Sequence, residues 1–170
     1  MEKCIDKFTT GWFRAKRKPG KDVSRKEAEE KFKAKELYTA IISENCRLYC
    51  FLQHTLDFVY IGFLDNEGRE YLKYQFNDSM DGSKLFLTEV QYWEYEGQSD
   101  KKIRTEIFQF SESGYIKIHK VNVITRESIQ LTSKEFIDVS GLYEDFPEFG
   151  EYDNLIRKDR IDSINLSIGK

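Results

Sequence analysis

The middle of the chain consists of short segments in which apolar and polar residues alternate, separated by tight polar turns. In residues 69–76, Leu72, Tyr74 and Phe76 fall on one side of an extended strand and polar residues alternate with them. Residues 103–110 repeat this period of two, which is typical of β-strands. Consecutive strands joined by short turns pair as an antiparallel meander. The sequence therefore predicts antiparallel β-structure rather than alternating strands and helices.

This pattern predicts a mainly β fold with at least six strands between about residues 38 and 131. A strongly twisted sheet of that many strands tends to curl or to close on itself. We therefore expect an antiparallel meander that forms a curved sheet or a barrel.

A helix is expected near the N-terminus, packed on the sheet. Residues 24–27 read Ser-Arg-Lys-Glu, a capping box in which Ser24 and Glu27 satisfy each other's free backbone amides. The helix is predicted over residues 25–37, with a thin apolar face made of Ala28, Phe32 and Leu37. A second short helix is expected within residues 151–160.

Composition indicates a folded chain in an aqueous compartment. Charged residues make up 34% of the sequence, aromatic residues 15%, and no apolar run approaches the length of a membrane span. The first residues lack the apolar stretch of a secretory signal, so we expect a cytoplasmic protein that does not bind a membrane. We expect a single domain over 1–170, with a basic arm and helix at 1–37, a β-meander at 38–134 and an acidic-aromatic loop with a C-terminal segment at 135–170.

Sequence motifs give little support to an enzyme. The chain has no glycine-rich phosphate loop and no nucleophile elbow. Cys50 and His54 form a possible nucleophilic pair, but positions four apart on a strand are separated by roughly 13 Å. Three cysteines are an odd number and have the wrong spacing for a zinc site. We therefore expect no catalytic residues, no metal, no cofactor and no disulfide framework.

Charge is unevenly distributed along the chain. Residues 1–37 hold 12 lysines and arginines against seven acids, whereas the rest holds 15 against 23. The basic run 16–18, with Trp12 and Phe13 beside it, has the residue types of a nucleic-acid patch. Because the sequence has a pI of about 5.6, the remaining surface repels phosphate, and direct binding of nucleic acid is not expected.

The strongest functional signal is the acidic-aromatic segment, residues 135–153, which has seven acids, several interleaved aromatics and no lysine or arginine. Crowded like charges work against folding, and a basic partner would offset that cost. Acids would attract and orient such a partner while aromatics supply contact area. The alternative is a solvated acidic loop whose aromatics cover the end of the sheet. The predicted partner-binding residues are Glu135, Asp138, Tyr143, Glu144, Asp145, Phe146, Glu148, Phe149, Glu151, Tyr152 and Asp153.

The segments Leu-Thr-Glu-Val-Gln-Tyr-Trp-Glu-Tyr-Glu-Gly (87–97) and Asp-Val-Ser-Gly-Leu-Tyr-Glu-Asp-Phe-Pro-Glu-Phe-Gly (138–150) resemble, in character rather than in a defined motif, the immunity proteins of bacterial contact-dependent inhibition and polymorphic toxin systems. The resemblance implies a protein that binds one cognate toxin and blocks its active site or substrate access. Many such toxins are nucleases with basic clefts, which would suit an acidic surface.

Two other functions remain open at this stage. A meander barrel can enclose a small molecule, and Gly11-Trp12 is similar to the lipocalin signature, although that signature has one residue between its glycine and tryptophan. A nucleic-acid mimic that inhibits a DNA-binding enzyme would use the same acidic surface. Each alternative differs from the immunity function in its ligand.

Overall fold

The computed structural model describes residues 3–160. The strands are β1 Lys3–Thr9, β2 Trp12–Phe13, β3 Lys18–Pro19, β4 Asp22–Val23, β5 Tyr38–Glu44, β6 Arg47–His54, β7 Phe58–Leu64, β8 Glu70–Asp78, β9 Leu85–Tyr95, β10 Lys102–Phe110, β11 Ile116–Asn122, β12 Glu127–Thr132 and β13 Tyr143–Glu144. The α-helix is α1 Arg25–Lys33. Short 3-10 turns lie at Arg14–Lys16, Ser140–Leu142 and Lys158–Arg160.

Eleven strands form one antiparallel sheet in the order β12-β11-β10-β9-β8-β7-β6-β5-β1-β4, and β13 adds to β9. The predicted mainly β antiparallel meander is therefore confirmed, with eight strands between residues 38 and 132. The sheet is not closed, since its path ends at β12 and β4. The barrel alternative is therefore corrected to an open sheet, and the lipocalin-like function loses the closed barrel on which it depended.

A row of directly paired residues defines the face of the sheet that carries the main core. Because paired residues share a face, the cross-strand register puts ten residues in one row: Val23, Phe8, Ala40, Leu52, Ile61, Tyr74, Val90, Phe108, Ile118 and Leu131. All of them except Leu131, on the terminal strand β12, are buried. We call this the covered face, because α1 and the chain after residue 141 pack on it.

The helix begins where the sequence predicts and ends earlier. The Ser24 hydroxyl accepts a hydrogen bond from the Glu27 amide at 3.2 Å, which is half of the predicted capping box. The helix ends at Lys33, and Lys35 has a left-handed φ of 56° that turns the chain into β5. Ala28 is fully buried, whereas Leu37 lies beyond the helix and is 49% exposed.

The N-terminal arm contributes strands that the sequence pattern did not predict. β1 inserts beside β5, and its register is broken by an irregularity between Ile5 and Lys7. The short β2–β3 hairpin lies on the opposite face of the sheet, where the indole of Trp12 stacks on Phe51 at 5.6 Å between ring centroids. Within residues 3–160, no helix has the length and apolar character needed to cross a membrane.

Candidate partner-binding groove

The chain after residue 141 crosses the covered face and is held there by tyrosine hydroxyls from three strands. Tyr38 and Tyr152 share a hydrogen bond of 2.8 Å. Tyr49 donates to the carbonyl of Ile156 at 2.9 Å, and Tyr74 donates to the carbonyl of Lys158 at 2.9 Å. Burial raises the pKa of Tyr38 and Tyr49 above the ordinary tyrosine value. These neutral hydroxyls fix the path of the segment that was expected to bind a partner.

Glu144 is an internal ion-pair residue rather than a surface acid. Its carboxylate accepts from Arg160 at 2.6 Å and from Arg157 at 3.1 Å. The Arg160 side chain is almost fully buried and also packs over the ring of Phe76 at 5.2 Å. Glu144 therefore neutralises a buried guanidinium, a contact within the fold that its predicted role as a partner-binding acid did not include.

Three predicted aromatic contacts are occupied within the fold. Tyr143 pairs with β9, its ring lies 4.8 Å from that of Phe86, and its hydroxyl donates to Glu112 at 3.0 Å. Phe149 stacks on Phe8 at 5.2 Å, and Tyr152 is buried with the hydroxyl bond described above. Tyr152 is therefore part of the core, and the half-buried rings of Tyr143 and Phe149 pack against it on the covered face.

Phe146 differs from these aromatics, since it remains 46% exposed. It lines an open groove of about 690 Å³ between residues 145–156, β1 and the start of α1. Four acids also line this groove: Asp145, Glu148, Glu151 and Asp153. We call it the acidic groove. Gly150, at its edge, has a φ of 88°, and a Cβ there would lie 3.3 Å from Arg25, so the turn requires glycine.

The acids of this groove are largely without internal counter-charges. Among residues 3–160, Glu148, Glu151 and Asp153 have no ion-pair partner, and Asp145 meets Lys84 at 3.2 Å in an exposed pair. The two basic residues of the lining lie over aromatic rings. Lys3 Nζ is 4.8 Å from the Tyr49 ring centroid, and the Arg25 guanidinium is 5.5 Å from that of Phe149. With four acids against two basic residues, the groove lining carries a net negative charge beside an exposed aromatic ring.

The structure thus divides the predicted site. Asp145, Phe146, Glu148, Glu151 and Asp153 are brought together in the groove lining. Glu135 and Asp138 are exposed but do not line it, and their part of the chain contacts the β10–β11 turn through the amide of Ile137. The sequence reasoning missed the basic residues Lys3, Arg25, Arg157 and Arg160. The last two follow the acidic run closely, and that proximity was a usable signal for internal neutralisation.

The cysteines and histidines do not form a reactive group. Cys46 is exposed; Cys50 is buried, and burial raises the pKa of its thiol. His54 is enclosed by the rings of Phe32 and Tyr38. Within residues 3–160, no group of three or more His, Cys, Asp and Glu side chains is placed to hold a metal ion.

Comparisons of this chain with protein-family models, with curated proteins and with solved structures give no match.

Proposed function

We propose that this chain is an immunity-type inhibitor, which binds a toxin domain through the acidic groove and blocks its active site or substrate access. The observation that carries the proposal is the juxtaposition of Glu148, Glu151 and Asp153 with the exposed ring of Phe146. The proposal places the chain in the cytoplasm, where it would meet the toxin.

The charge of the groove favours a basic partner. Three acids without ion-pair partners in the described chain repel one another, and a lysine or arginine entering the groove would relieve that repulsion. Complementary charge raises the association rate and disfavours partners of like charge. A basic cleft, such as one that binds phosphate in a nuclease, has the matching surface.

The aromatic ring supplies the contact area that charge alone does not. Aromatic anchors that fill a pocket on the partner commonly dominate binding energy, while the surrounding contacts exclude water. Phe146 is the aromatic of the groove lining that keeps a large exposed area. It follows Asp145 directly, and both residues line the groove.

Co-expression with the product of a neighbouring gene tests the proposal. The toxin domain should arrest growth alone, and this chain should restore growth. A groove-neutral variant, Glu148→Gln with Glu151→Gln and Asp153→Asn, should fail to restore growth at equal expression. A matched control, Glu67→Gln with Glu94→Gln and Asp57→Asn, removes the same charge from exposed positions outside the groove and should protect fully.

Two results would oppose the proposal in different ways. Full protection by the groove-neutral variant would show that the partner docks elsewhere on the chain. If the products of the neighbouring genes are harmless to cells and do not bind the purified chain, the proposed immunity function is wrong.

A further inference from the structure

A second cavity lies on the face of the sheet opposite the covered face, away from the acidic groove. Its volume is about 370 Å³, within the size range of small-molecule sites. It is formed where β8, β9 and β10 meet the 3-10 turn after β2. The lining residues are Arg14, Ala15, Arg69, Glu70, Trp93, Tyr95, Asp100 and Lys102.

The carboxylates around this cavity are each matched to an arginine. Arg14 Nε donates to Glu70 at 2.5 Å, and the Glu70 side chain is only 4% exposed. Tyr60 also donates to that carboxylate. Asp100 forms an ion pair with the guanidinium of Arg17, with 2.5 Å between nitrogen and oxygen. Each acid of the lining thus has an arginine as its counter-charge.

The guanidinium of Arg69 also has partners within the fold. It pairs with Asp65 at 2.8 Å, donates to the carbonyls of Gly97 and Ser99, and lies over the ring of Tyr95 at 4.6 Å. Lys102 is different, because within residues 3–160 it has no carboxylate partner. Its ammonium lies 4.2 Å from the ring centroid of Trp93.

The lining therefore carries one uncompensated positive charge next to a large aromatic side chain. The guanidinium of Arg14 is held at the same cavity by its Nε bond to Glu70 and lies over the ring of Tyr60 at 5.0 Å, so its positive charge stays beside Lys102. Burial lowers the pKa of Lys102; the charge of Glu70 raises it, and that of Arg14 lowers it. An anion between Arg14 and Lys102 would lessen the repulsion between their charges.

We propose that this cavity binds a small aromatic anion. Its carboxylate or phosphate group pairs with the ammonium of Lys102, on the side of the cavity that Arg14 also lines. Its ring packs against Trp93 and Ala15. This site is separate from the acidic groove and does not depend on the immunity function.

Calorimetric titration of the purified full chain with phenyl phosphate, benzoate, inorganic phosphate and phenol tests the site. Phenyl phosphate and benzoate should bind saturably at one site, more tightly than phosphate or phenol, because only they combine charge and ring. Tryptophan fluorescence should change with the same saturation curve. No saturable binding of the two aromatic anions, or equally weak binding of all four probes, would overturn the proposal without any variant being needed.

Substitutions locate the site. Lys102→Met should weaken binding of phenyl phosphate roughly tenfold or more, because a charged hydrogen bond is lost. Lys102→Arg should keep binding within a few-fold. Lys101→Met is the matched control, since Lys101 pairs with Glu96 on the surface and does not line the cavity. If Lys101→Met and Lys102→Met weaken binding equally in folded proteins, the attraction is nonspecific and the assignment is wrong.

Discussion

The hydroxyl oxygens of Tyr38 and Tyr152 lie 2.8 Å apart in the core, joining β5 to the C-terminal segment across 114 positions of sequence. Both rings are buried, and the hydroxyl of Tyr38 bonds to that of Tyr152. This bond holds the segment that forms one wall of the acidic groove. The stability of the groove is therefore tied to the core of the sheet.

A double-mutant cycle measures that coupling. Tyr152→Phe should destabilise the protein by about 1–3 kcal/mol, because it leaves the hydroxyl of Tyr38 buried and unsatisfied. Tyr38→Phe combined with Tyr152→Phe should cost less than the sum of the two single changes. Chemical denaturation gives all three values, and strictly additive effects would show that the hydroxyls do not act as a pair.

Neutralising Glu144 and neutralising its neighbour Asp145 should have different effects on stability. Glu144→Gln should lower the free energy of unfolding by about 3 kcal/mol, because it leaves the buried guanidinium of Arg160 without its carboxylate. Asp145→Asn should leave the melting temperature unchanged, since Asp145 is 83% exposed. Thermal melts of both variants check this, and equal melting temperatures would mean that Glu144 is not structural.

His54 should make the fold sensitive to mild acid. Burial lowers the pKa of His54 below the ordinary 6.5; the charge of Lys35 also lowers it, and that of Asp78 raises it. The unfolded chain therefore takes up this proton more readily than the folded one. The stabilisation is complete above pH 6.5 and is lost as the pH falls from 6.5 towards the folded-state pKa.

Denaturation curves between neutral and mildly acidic pH test this sign. His54→Phe should flatten the decline in stability on the acid side. His119→Gln is the control, because His119 is the other histidine and makes an exposed contact with Ser128 at 3.0 Å. If the decline persists in His54→Phe and disappears in His119→Gln, His119 causes it and the role given to His54 is wrong.

Substitutions of Phe146 and Phe149 should have different effects, one on partner binding and the other on stability. Phe149→Ala should cost about 3 kcal/mol of stability, because the ring packs on Phe8 and Phe32. Phe146→Ala should leave the melting temperature nearly unchanged and speed dissociation of the toxin partner roughly 30-fold. A folded Phe146→Ala variant with an unchanged dissociation rate would exclude this ring as an anchor.

Local sequence patterns were sufficient to predict the meander and the start of the helix. The period of two in residues 69–76 and 103–110 is visible in the sequence because one face of each strand is buried. The cap at Ser24 is visible because its hydrogen bond joins residues three positions apart. The end of the helix depends on the left-handed Lys35, which has no signal in the residue type. Closure of the sheet was uncertain because it depends on whether the terminal strands β4 and β12, which lie far apart in the sequence, pair with each other.

The candidate site was predictable in position but not in the role of each residue. The acids and aromatics of 135–153 look alike in sequence. Glu144 is internal because it pairs with Arg160, and Tyr152 is held in the core by its hydrogen bond to Tyr38. Both partners become visible only when the path of the segment across the sheet is known. Phe146 stays exposed beside Pro147 on the same path.

The association rate constant with the toxin partner, measured over a range of salt concentrations, tests the docking claim most directly. For the unmodified chain the rate should fall as salt screens the groove. The groove-neutral variant, with residues 148, 151 and 153 neutralised, should associate more slowly at low salt and with a weaker salt dependence. The control neutralised at residues 57, 67 and 94 should retain more of the unmodified chain's rate and salt slope. Identical rates and salt slopes for the groove-neutral variant and the unmodified chain would contradict the assignment of the acidic groove as the docking surface.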